Sequence, residues 1–207
     1  MSWFLRNYDQ VAVALGQHVV IALTALAIAF VIALPVGVVA ARRERVYAVA
    51  IAVSGFLYTI PTLAFLALLI PLVGLGRTNV IIAMVAFSLV ALIRNVAAGI
   101  RGVPADVVDA ARGMGMSDSQ RLLRVELPLA APVVVAGLRV AAVTVISVTV
   151  VGAYVNAGGL GTLIFNGIAG DHAAKIWSGA ITACALAIGV DTALAFVERQ
   201  LARAQRA

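Results

Sequence analysis

Of 207 residues, 63% are hydrophobic and 12% charged, with a mean hydropathy of +1.09, where soluble domains are about half apolar and about a quarter charged. The excess is too large for a core to absorb and excludes a soluble globular protein. The net charge of +6 is spread over short connections, which excludes the continuous basic patch of a nucleic-acid-binding protein.

Residues 1–17 read as an interfacial segment, with Trp3, Phe4 and Tyr8 suited to headgroup depth. Apolar stretches follow at 18–41, 46–70, 79–100, 129–154 and 176–197, each matching the ~20 residues that cross a bilayer. Their patterns are helical or uniformly apolar, without the alternation of a barrel, and a helix satisfies its own backbone in lipid. The expected fold class is therefore all-α: a polytopic transmembrane helical bundle of about five spans, one domain over 1–207. The first span is not a cleavable signal, because it is too long and its basic cluster follows it. Pro35, Pro61 and Pro71 are expected to kink or end helices. Cys184 is the lone cysteine, so no disulfide or thiolate metal centre is available within one chain, and it reads as a small packing residue.

The basic residues set an orientation. Arg42, Arg43 and Arg45 follow the first span; Arg101, Arg112, Arg121 and Arg124 follow the third; Arg199, Arg203 and Arg206 follow the fifth. The other side holds Arg6, Arg77 and Lys175. The positive-inside rule then puts the N-terminus outside and the C-terminus in the cytoplasm, making 101–128 cytoplasmic and 155–175 external.

In 101–128, Pro104 suits a helix start, and Asp106 and Asp109 complement the dipole there. Val107, Ala110, Ala111 and Met114 recur at helical spacing as a stripe of mostly small residues. Gly113 and Gly115 interrupt it, and Gly115 can take the left-handed conformation that ends a helix. Ser117 with Gln120 is a capping-box pattern opening a second helix, expected to close at Pro128. Two short angled helices either receive a soluble partner or lie on the membrane surface.

In 155–175, Asn156, Gly158, Gly159 and Gly161 form either part of an external gate or a flexible loop. Arg94, Arg139 and Asp191 stand as buried charges inside spans, where an ionised group is costly unless it faces protein or water, snorkels or pairs; Asp191 suits one of the two arginines. Asn95, Thr144, Ser147 and Thr149 either line a passage or bond to helix backbone. Tyr58 and Trp177 can offer cation–π contact. His18 and His172 sit at span margins, and no paired-carboxylate, metal-ligand or Ser-His arrangement for an intramembrane enzyme is present in the spans. An ion-coupled secondary transporter would place acids near mid-membrane, where only the off-centre Asp191 is found.

Asp109-Ala110-Ala111, Gly115, Val125, Leu127 and Pro128 fall on the spacing E-A-A-x3-G-x9-I-x-L-P, with Asp for Glu and Val for Ile. The chain thereby resembles permease subunits of ATP-binding-cassette importers. Residues 59–64, 111–116, 124–129 and 156–161 look like the branch that imports osmoprotectants such as glycine betaine, choline and carnitine, while amino-acid and methionine permeases share much of the pattern. The resemblance implies a MetI-like bundle in a prokaryotic plasma membrane that forms the solute pathway. Its ATPase-coupling residues are Asp109, Ala110, Ala111, Gly113, Gly115, Val125, Leu127 and Pro128. It further implies two ATP-binding subunits, a second permease chain (identical or not) and an external substrate-binding protein. This chain has no Walker-type loop, so ATP and Mg are expected on the partner, with no catalysis, cofactor or metal here.

Overall fold

The computed structural model describes residues 2–205, and Arg206 lies outside the described residues. The apolar runs fold as α1 (Ser2–Arg6), α2 (Tyr8–Arg42), α3 (Glu44–Thr59), α4 (Thr62–Val73), α5 (Arg77–Arg101), α6 (Ala105–Gly113), α7 (Asp118–Arg121), α8 (Leu127–Thr149), α9 (Leu160–Ala169) and α10 (Ala173–Ala204). A π-helical turn at Leu122–Glu126 joins α7 to α8, and a 3-10 turn at Val150–Val155 continues α8. No strand occurs among the described residues. α2, α5, α10 and the continuous column Asp118–Val155 are each apolar and long enough to cross a membrane; α3 and α4 together make a fifth, bent candidate.

Two elements depart from the expected boundaries. α2 begins at Tyr8, ten residues before the expected span, because nothing between Tyr8 and His18 breaks a helix and the early turns have something to pack on. Val11 and Ala14 are buried with Leu160, Leu163 and Ala183. Only Ser2–Arg6 is a separate short helix, and Trp3 meets protein as well, edge-on to His172 with centroids 5.7 Å apart. The second departure is the expected span over 46–70, which is two helices meeting at 99°. Pro61 is the cause: Ile60 before it is extended (φ −69°, ψ 126°), as a residue preceding proline must usually be, and the backbone restarts at Thr62. Pro71 sits in the last turn of α4, whereas α2 runs through Pro35 without a break.

α5 is the central helix. In its most apolar stretch 56% of residues are buried, against 11% for α10 at the periphery, and Cys184 accordingly faces outward instead of packing inward. Close approach of α2 to α5 comes from Ala22, Ala25, Ala29, Ala33, Gly37 and Ala40, all buried and spaced by three or four so that they share one face. Small residues let helix backbones near each other where lipid removes any hydrophobic drive to associate. At Gly37 the fit is tightest, since a Cβ there would lie 2.6 Å from Val96 Cβ.

The ends of α2, α5, α8 and α10 are tied at one pole. Arg101 donates from Nε to the Ala41 carbonyl at 3.1 Å and from Nη2 to Ala40 at 2.9 Å, answering carbonyls that a helix C-terminus leaves unpaired. Gln205 Nε2 donates to the Pro128 carbonyl at 2.9 Å. Arg42, Arg43, Arg45, Arg101 and Arg121 therefore gather at this pole, and the glycine-rich 156–161 segment lies at the other.

Candidate functional site

At the arginine-rich pole, α6 ends in a Schellman motif: Met116 N–H bonds Ala111 O and Gly115 N–H bonds Arg112 O, with Gly115 at φ +80°, a conformation that favours glycine. Ser117 Oγ accepts from Gln120 N–H while Gln120 Oε1 accepts from Ser117 N–H, the capping box the sequence pattern predicts. Asp109, Ala110, Gly113 and Gly115 are exposed, and Ala111 alone of α6 is buried. The expected stripe is thus split, with Ala111 inward and Val107 and Met114 outward. Asp109 pairs only loosely with Arg112, at 4.0 Å.

The second short helix does not close at Pro128. It runs on into α8, with Val125 and Leu127 half-buried on it. Leu127 N–H bonds Leu122 O across the π-turn, so the wider winding carries the chain past Pro128, which has no N–H to give. Inside this turn lies a group that the sequence reading missed. Glu126 is buried, accepting from Arg42 Nη2 at 2.9 Å and from Arg121 Nε at 3.1 Å; Arg121 also holds Asp118 at 2.9 Å. No local signal sets it apart, since the exposed Arg124 stands two residues before it in the same run. Through Glu126 the exposed knob is bolted to the end of α2.

The opposite pole is built differently. Asn156 (φ +60°) and Gly158 and Gly159 (both φ +83°) make a left-handed turn into α9. Gly159 N–H donates to Gln17 Oε1 at 2.9 Å and Leu160 N–H to His18 Nδ1 at 3.4 Å. With Nδ1 accepting, His18 Nε2 carries the proton and donates to Ile146 O at 3.0 Å. His18 is fully buried, not marginal as its sequence position suggests, and joins α2, α8 and the glycine turn. A Cβ on Gly161 would run into the Val150 carbonyl oxygen. The segment is a turn packed against α2 and hydrogen-bonded to it through Gln17 and His18, and α9, at about 15 Å, is too short to cross a bilayer. Beside it is a polar cavity of about 600 Å³ lined in part by Asp9, Gln17, Arg77, Asn156, Gly158 and Lys175.

Between the poles, Arg139 is held by Asp191 (3.0 and 3.1 Å) and by Glu198 (2.7 Å). Asp191 thus pairs with Arg139 and not with Arg94. Glu198 was missed, though its place two turns after Asp191 puts both acids on one face of α10. None of the three expected buried charges is buried: Arg94 is exposed, and the side chains of Arg139 and Asp191 are 29% and 40% exposed. The reason is that α8 and α10 leave a cavity of about 660 Å³ between them, into which this pair opens. Thr144 and Asn95 bond to backbone four residues back, Thr144 Oγ1 to Val140 O at 2.8 Å and Asn95 Nδ2 to Ala91 O at 2.9 Å. Tyr58 and Thr144 nevertheless line one cavity of about 140 Å³, together with Phe87 and Arg94. Trp177 stands 66% exposed on α10, away from them.

The family model of binding-protein-dependent transport system inner membrane components matches residues 33–204. The carnitine transport permease protein OpuCB of Listeria monocytogenes is 37% identical over 201 residues, covering 97% of this chain and 92% of that protein. The choline transport system permease protein OpuBD of Bacillus subtilis is 38% identical over 202 residues, covering 97% and 89%. A chain of the inward-facing MetNI methionine ABC transporter shares the fold, with a TM-score of 0.85 at 22% identity over 94% of this chain and 97% of its own.

Proposed function

The chain belongs to the binding-protein-dependent transport system inner membrane components and is a multi-pass membrane permease of an ATP-binding-cassette importer; we propose that its cargo is a small quaternary-ammonium osmoprotectant such as glycine betaine, carnitine or choline. The observation that carries the cargo is the near full-length likeness to permeases named for carnitine and for choline. Two copies, or this chain with a close relative, face each other to enclose the path. The arginine-rich pole faces the cytoplasm, as positive-inside charge requires. There Asp109 to Gly115 on each permease chain enters a cleft of an ATP-binding subunit, which holds ATP and Mg.

Several features support that docking. α6 exposes Asp109, Ala110 and Gly113 while Ala111 faces inward, it is small at Ala110 and Gly113 where a partner must come close, and its end is capped by the Gly115 turn. The Arg42–Glu126–Arg121 cluster passes a push on α6 and α7 to α2 and α8 together. At the external pole, the Asn156–Gly161 turn serves as the gate that an external binding protein faces.

Reconstitution in liposomes with the ATPase subunit and the binding protein tests this reading. ATP-dependent uptake of radiolabelled glycine betaine, carnitine or choline is the expected result. Uptake of methionine with none of these three would replace the proposed cargo with an amino acid.

A further inference from the structure

Two arginines sit within predicted spans, and they differ in one respect. Arg139 is saturated by Asp191 and Glu198. For Arg94, no carboxylate pairs with it and no hydrogen bond holds it among the described residues. Arg94 lies seven residues, about 10 Å of helix, inside the arginine-rich end of α5. An unpaired guanidinium at such depth is costly unless something anionic or water meets it, and it marks a functional site by default.

What surrounds it gives that site a chemistry. Arg94 lines the cavity of about 140 Å³ where α3, α5 and α8 meet. Phe87, buried, lines the same cavity seven residues, about 10 Å of helix, before Arg94 on α5, and Tyr58, 52% exposed, meets it edge to face with ring centroids 6.0 Å apart. Val90, Ala91, Val140 and Ala141 make the rest of the wall apolar, with Thr144 at the rim. A cavity near 150 Å³ takes a guest of about benzene's size, enough for a trimethylammonium group, and the exposed Tyr58 and Arg94 leave it open to the rest of a larger solute. Aromatic faces attract a quaternary ammonium, which cannot donate a hydrogen bond and is held by the ring quadrupole; a guanidinium grips a carboxylate with two parallel hydrogen bonds. One end of the cavity suits a methylated cation and the other a carboxylate.

We propose that Tyr58, Phe87 and Arg94 form a transient subsite in the translocation path for a zwitterion carrying both a quaternary ammonium and a carboxylate, such as glycine betaine or carnitine. Choline, which has the ammonium but no carboxylate, engages only the aromatic half. Arg94 is therefore a specificity residue that favours betaines over choline, and it does not repel the cargo, because the charge it meets is the carboxylate. The neighbouring cavity lined by Arg139 shares Val140 and Thr144 with this one, so a solute leaving the subsite has a continuous wall along α8. The subsite rests on the quaternary-ammonium reading of the cargo.

The test uses the permease–ATPase complex in nanodiscs of phosphatidylglycerol and phosphatidylethanolamine, without choline lipids and without the binding protein. Saturable binding of radiolabelled glycine betaine is measured, with unlabelled carnitine and choline as competitors. Arg94→Gln is expected to weaken glycine betaine by about tenfold or more, the worth of a charge-assisted hydrogen-bond pair, while choline competes as it does against the unaltered complex. Tyr58→Ala weakens both, and Tyr58→Phe, which keeps the ring, neither. If Arg94→Gln fails to assemble with the ATPase, the Tyr58 pair decides alone. Equal loss of betaine and choline with Arg94→Gln, unchanged betaine binding in either Arg94→Gln or Tyr58→Ala, or no saturable binding to the complex would overturn the subsite. These outcomes leave the cargo reading standing as long as the full system imports a quaternary ammonium; if it imports none, that reading is what fails.

Discussion

The two poles of the bundle solve opposite problems with the same residue, glycine. At the arginine-rich pole, Gly113 and Gly115 have nothing within 4 Å of where a Cβ would stand, and the surface around them is open. At the other pole, Gly158, Gly159 and Gly161 are hemmed in by Gln17, His18 and the Val150 carbonyl. One set of glycines leaves open surface, and the other lets the chain come close to itself. The docking role proposed for the first asks an element to hold its shape unaided, whereas the second turn draws its shape from its neighbours.

Substitution at each pole can break that contrast. Gly161→Leu is expected to have the largest effect on the folded protein, about 3 kcal/mol or more, because the side chain overlaps backbone that cannot move aside. Thermal unfolding in detergent measures it, and a melting temperature like that of the unaltered chain would mean the turn is not closed. Next comes Glu126→Ala, which strips the shared acid from Arg42 and Arg121; removing one member of a buried ion pair costs about 3 kcal/mol, lessened here because Arg42 is 39% exposed. Its second readout is coupling: ATP hydrolysis by the assembled complex persists while uptake per ATP falls, with Glu126→Asp recovering part of it. An equal loss of hydrolysis and uptake would make Glu126 a structural residue only. Asp109→Lys is the smallest in stability, within about 0.5 kcal/mol as exposed sites usually are. It nonetheless reduces ATP-dependent uptake on the order of tenfold by inverting a docking charge. Full uptake would remove Asp109 from the docking surface, and a large drop in melting temperature would show that the knob does not hold its own shape.

How much of this could be read beforehand follows from how far apart the interacting residues are. The Ser117–Gln120 box and the Gly115 turn are completed within a few residues, so the sequence patterns found them. Membrane class and helical architecture come from composition and run length. The early start of α2 was hidden, because what stabilises Val11 and Ala14 is Leu160, Leu163 and Ala183, far along the chain. Glu126 was hidden for the same reason: its partner Arg42 is 84 positions away, and nothing local tells a buried acid from an exposed one. Pro61 was recognised as a helix breaker, but the 99° angle is set by packing that local pattern does not contain. The rarity of charge in a span pairs Asp191 with one of Arg94 and Arg139 without choosing between them, while Glu198 lies just beyond the expected boundary and escapes.

The π-turn at Leu122–Glu126 has a consequence for the lengths this protein can tolerate. From Asp118 to Val155 the chain is one hydrogen-bonded column, so a residue added or removed within it turns everything beyond by about 100°. The heading of α7 at one extreme and of the glycine turn at the other are therefore locked in phase, like marks on a threaded shaft. A π-turn is the one stretch where a helix already holds a residue more than its regular winding needs. Deleting one residue there returns the column to ordinary pitch, whereas the same deletion in α8 would swing Thr144 and Arg139 away from the cavities they line.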